Sequence, residues 1–102
     1  MQDIALMPEV VELIGKAALP VVVALESPMK KESVARASWP ALDELCQRRD
    51  LPYELETRAR TALVASRGVM DGNAQAYGKF LGATHALLVS AGLPAPCELA
   101  QD

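Results

Sequence analysis

From Ala59 to Leu87, small and apolar residues recur at intervals of three and four. That interval keeps them on one face of an α-helix and conflicts with the two-residue period of a half-buried strand. The rest of the chain supplies little that favours a sheet. Its aromatic residues are Trp39, Tyr53, Tyr77 and Phe80, so a hydrophobic content of 51% must come mainly from Ala, Val and Leu. An aliphatic core of this kind suits closely packed helices. The expected fold is all-α: a small bundle of four to five short helices with a C-terminal αα-hairpin. The 102 residues suit one domain. We place it at 1–92, followed by a mobile tail over 93–102.

The helices can be read in turn. Pro8 suits a first helical position, where its missing N–H is not needed. Val10, Leu13, Ile14 and Ala17 then form an inner face, with Glu12 and Lys16 paired outside it. Pro20 is expected to interrupt this helix after about Leu19. The next piece, VVVALE over 21–26, has two readings. Pro20 starts a second helix, which is preferred, or the valines form a strand that pairs with its own copy in a dimer. Residues 30–37 suit a short helix. Ser38 is the expected N-cap of another, opened by Trp39 and Pro40, with Leu42, Leu45 and Cys46 inside. Pro52 then opens a helix with Leu55, Ala59, Ala62, Leu63 and Ser66 on its inner face. RGVMDGN over 67–73 carries two glycines and an asparagine, which reads as the turn of an αα-hairpin; the competing reading is one long helix, since the three-four spacing runs on from Ala59 to Leu87. The last helix runs over 74–91 and stops at Gly92.

Gly78 and Gly82 fall inside that last helix, where each glycine costs about 1 kcal/mol relative to alanine. At roughly 100° per residue, Gly82 lies about 40° and Ala86 about 80° from Gly78. Leu87 and Phe80 lie nearly opposite. Gly78, Gly82 and Ala86 therefore form a strip apart from the bulky apolar face. Such a strip lets a second helix approach closely, either within the fold or from a second copy of the chain.

Charge narrows the partners. The formal net charge is −3, whereas general nucleic-acid binders concentrate Lys and Arg on one face. Residues 29–60 hold seven basic and six acidic residues, interleaved. Arg48 and Arg49, with Arg58 and Arg60, offer a face to an acidic protein, although Asp50, Glu54 and Glu56 stand ready to neutralise it. Trp39 is either a core anchor bonded to a loop carbonyl or a contact residue, since tryptophan is enriched in interface hot spots.

No catalytic constellation, cofactor motif or metal-ligand spacing emerges. His85 has no acid or nucleophile at helical contact spacing, and Cys46 and Cys97 read as free thiols in a reducing compartment. The N-terminal MQDIALMPEV has no basic segment, so a secretory leader is not expected. The longest apolar run, over 17–25, is about half a membrane span. A cytoplasmic, non-catalytic protein is expected, one that binds another protein and forms a homodimer. A phage- or plasmid-type inhibitor and a chaperone-like protein both fit.

A DNA-binding regulator is the alternative. Residues 10–16, VVELIGK, with Leu19-Pro20 after them, resemble phage excisionase-type regulators over a short stretch. Separately, the spacing of Val10, Ile14, Gly15 and Val21 around a turn glycine fits one frame of a helix-turn-helix. A second frame over 33–49 puts Trp39 at the turn. The basic readers of that family are missing here, which leaves Lys30, Lys31 and Arg36 as candidate DNA contacts.

Overall fold

A computed structural model describes residues 7–100. They form four α-helices: α1 (Pro8–Glu26), α2 (Lys31–Gln47), α3 (Tyr53–Met70) and α4 (Ala76–Ser90). A 3-10 turn follows at Cys97–Leu99. No strand occurs among the described residues. Each of α2 and α3 packs on the helix before it, α4 packs chiefly on α3, and α1 also touches α4.

Two prolines behave differently from expectation. Pro20 lies inside α1 and Pro40 inside α2. Segment 21–26 is therefore helix, which removes the strand reading and the strand-paired dimer built on it. An interior proline deletes one hydrogen bond and costs about 3 kcal/mol relative to alanine. Burial on the far side of each proline explains why the helix continues. Val21 is fully buried beyond Pro20, in line with Val10, Ile14 and Ala17. Leu42 and Leu45 are buried beyond Pro40, in line with Val34 and Ala35. Breaking either helix would turn these groups out of the core, at about 1.5–3 kcal/mol per large aliphatic side chain.

The same continuity removes the cap assigned to Ser38. It lies in mid-helix, fully buried, and its Oγ has no hydrogen-bond partner. Pro40 itself is exposed, so Pro40→Ala restores a backbone donor without emptying the core. This change is expected to raise stability by about 1–3 kcal/mol, read as a higher urea midpoint at unchanged slope.

The turn chemistry of 67–73 does end a helix. Gly72 has φ of 96°, and the Asn73 N–H reaches the Gly68 carbonyl at 2.9 Å. Gly92 has φ of 72°, and the Leu93 N–H reaches the Leu88 carbonyl at 2.9 Å. Both are Schellman closures, in which a left-handed residue lets the chain satisfy the last carbonyls. Asn73 Oδ1 then accepts the Gln75 N–H at 3.1 Å, just ahead of α4.

Beyond Gly92 the chain turns back onto the fold. Leu99 is fully buried and the 3-10 turn packs on α4. The tail expected to trail away thus returns one large side chain to the core at least as far as Leu99. Its Pro94 and Pro96 mark a bend, and Leu99 supplies the apolar anchor.

Candidate interaction surfaces

Gly78, Gly82 and Ala86 are all half-buried. The buried face of α4 is carried by Phe80, Ala83, Thr84, Leu87 and Leu88. Contact with α3 runs along another line of the helix. A Cβ built on Gly68 of α3 would lie 3.1 Å from Ala76 Cβ, and Arg58 of α3 donates to Ser90 Oγ. Ala76 and Ser90 lie roughly 120–160° around α4 from Gly78. Gly68 provides a close approach of α3 to α4 there. Val89 falls about 20° from Gly78, on the strip itself, and is 55% exposed.

Trp39 is half-buried, and its indole N–H is shielded from solvent without an acceptor among the described residues. The expected bond to a loop carbonyl is not formed. The ring lines an open groove of about 530 Å³ with Arg36 and Pro40 of α2 and Arg67, Met70 and Asp71 from the end of α3.

The arginine face is largely neutralised by its neighbours. Arg48 Nη2 lies 2.6 Å from Asp50, and this hydrogen bond holds the Asp50 carboxyl below, and the guanidinium above, its usual range. Arg58 pairs with Glu54 and Arg60 with Glu56. Arg49 is exposed and makes no ion pair among the described residues. Exposed pairs of this kind contribute about 0–1 kcal/mol each, so they shape the surface more than they stabilise the fold.

Lys30 immediately precedes α2, and Lys31 and Arg36 lie in its first half. Lys31 Nζ sits 5.3 Å from the centre of the Tyr77 ring, a cation–π contact. Lys30, Lys31 and Glu32 border a second groove with Val69, Gly72 and Ala74. Neither helix-turn-helix frame supplies its turn. Gly15 and Trp39 both lie inside unbroken helices, and positive φ among the described residues is confined to Gly72 and Gly92.

A third groove, of about 680 Å³, was not anticipated. It lies along the outer row of α3, through Tyr53, Thr57, Thr61 and Val64, with Asn73 and Lys79 beyond. Tyr53 is 82% and Val64 64% exposed. The spacing of this row is helical, and its one signal in the sequence is a tyrosine and a valine on a face otherwise built from Thr and Arg.

Reactive side chains are not gathered at any of these places. His85 is half-buried on α4. Cys46 is half-buried and burial pushes its thiol up, with Arg60 opposing more weakly, so it is protonated at neutral pH and a poor nucleophile. Cys97 is exposed, and both thiols are free. No cluster of three or more His, Cys, Asp or Glu able to hold a metal occurs among the described residues. No described helix is long and apolar enough to cross a membrane. Comparison with protein-family models, curated proteins and solved structures finds no match to this chain.

Proposed function

We propose that this is a small non-catalytic regulatory or adaptor protein that docks onto another protein and associates with itself. The observation that carries the reading is where its exposed apolar groups lie. Leu19 and Val23 on α1, Tyr53 and Val64 on α3 and Val89 on α4 stand on outer helix faces. Large apolar groups at such places gain most from a protein surface laid against them. In this reading α3 and α4 act as an αα-hairpin, and α4 presents Val89 between Gly78, Gly82 and Ala86 to a second copy. A symmetric pair of such helices brings backbones close while immobilising few side chains. A cytoplasmic inhibitor of phage or plasmid type, or a chaperone-like protein, works in this way.

Gly82→Leu tests the self-association. It is expected to turn a dimer into a monomer, seen by sedimentation, while the far-ultraviolet circular dichroism stays helical. A monomeric wild type whose Gly82→Leu variant melts at a lower temperature would instead make the strip an internal packing device. The second reading, a DNA-binding regulator, draws on Lys30, Lys31 and Arg36 lying at and just after the start of α2. It has lost the helix-turn-helix frames that first suggested it.

A further inference from the structure

Positive charge is unevenly distributed over this acidic protein. Lys16, Arg48, Arg58 and Arg60 are tied into ion pairs. The other six make none among the described residues; four of them, Lys30, Lys31, Arg36 and Arg67, border the two grooves that flank the contact between α2 and the end of α3, while Arg49 and Lys79 lie outside both. The acidic groups bordering those grooves are Glu32 and Asp71. Four cations face two anions there, an excess of two, in a chain whose formal charge is −3.

The second observation is independent of charge. Trp39 lines the same groove as Arg36 and Arg67, and its shielded indole N–H has no acceptor among the described residues. Pro40 and Met70 extend the apolar floor beside it. The guanidinium groups of Arg36 and Arg67 in this groove can match carboxylates in a bidentate manner. Trp and Arg are also the residues most enriched at the energetic centres of protein interfaces.

Building on the protein-binding reading, we propose that the α2–α3 face, with Trp39 at its centre and Arg36, Arg67, Lys30 and Lys31 around it, docks an acidic segment of a partner protein. The segment carries carboxylates for the four cations and one apolar side chain for the Trp39–Pro40–Met70 floor. A duplex suits the face less well, because Glu32 and Asp71 stand among the cations and repel phosphate.

Trp39 is the sole tryptophan, so its emission reports on this groove. The full chain is titrated with a synthetic peptide of alternating glutamate and leucine, and in parallel with a short DNA duplex. Binding is followed by calorimetry as well as by emission. The peptide is expected to bind and to shift the emission. Arg36→Gln combined with Arg67→Gln should weaken peptide binding roughly tenfold, with helicity retained. Arg49→Gln, outside both grooves, should leave it unchanged. No heat and no emission change with the peptide would overturn the proposal, as would equal weakening by Arg49→Gln. Tighter, salt-sensitive binding of the duplex, lost in the Arg36/Arg67 variant, would reassign the face to nucleic acid. If the peptide fails while the chain still self-associates, this face alone is wrong. Failure of both removes the protein-binding reading.

Discussion

Replacing Phe80 by alanine is expected to destabilise the protein by about 3–5 kcal/mol. Phe80 is the one phenylalanine in the chain and is fully buried on α4. Its ring lies 6.1 Å from that of Tyr77, tilted by 53°, a spacing at which aromatic pairs attract beyond their burial. The other buried residues of its helix are Ala83, Thr84, Leu87 and Leu88, all aliphatic or small. Aliphatic neighbours on fixed helices cannot close a cavity of that size, so the transfer loss and the cavity loss add. A domain of this size has about 5–15 kcal/mol of stability in total. The variant should therefore melt roughly 15 °C lower or more. A midpoint within a few degrees of the wild type would mean that α4 is not held by this side chain.

Leu99→Ala is expected to cost about 2–4 kcal/mol, despite its position near the end of the chain. Leu99 has no exposed surface, and the 3-10 turn at Cys97–Leu99 seats it against α4. Its neighbour Cys97 is exposed and makes a control. Cys97→Ser should leave stability within about 0.5 kcal/mol of the wild type. Urea unfolding of the two variants separates a docked segment from a loose one. Equal midpoints for Leu99→Ala and Cys97→Ser would show that residues after Gly92 add nothing to the core.

Most of the inner faces were legible because they rest on local periodicity. Val10, Leu13, Ile14 and Ala17 on α1 are buried, as are Leu42 and Leu45 on α2 and Leu55, Ala59, Ala62 and Ser66 on α3. Both glycine stops were also legible, since positive φ is a local demand on one residue. The prolines misled for the opposite reason. Pro20 and Pro40 carry a strong local preference for a helix start, yet the burial of Val21, Leu42 and Leu45 is decided by the other helices. The buried Leu99 was hidden likewise: Pro94 and Pro96 read as the end of structure, and nothing local shows that the chain turns back.

The candidate surfaces were less legible than the core. Gly78, Gly82 and Ala86 could be placed on one strip from helix geometry alone. The Gly68–Ala76 approach could not, because it is set by how α3 meets α4. Lys30, Lys31, Arg36 and Trp39 were each visible in the sequence as separate features. Arg67 comes within the same groove as Trp39 only through the pairing of α2 with the end of α3. The row of Tyr53 and Val64 was missed since two apolar residues on a polar helix face look like ordinary surface scatter.

The account rests most heavily on self-association through the outer face of α4. The most direct test is the mass of the full chain by light scattering on a size-exclusion column, over a wide range of loading concentrations. A mass of twice the 10.9 kDa of one chain, falling towards one copy only at the lowest concentrations, is the predicted result. A mass of one chain at every concentration would contradict it, and would make Gly78 and Gly82 part of the protein's own packing.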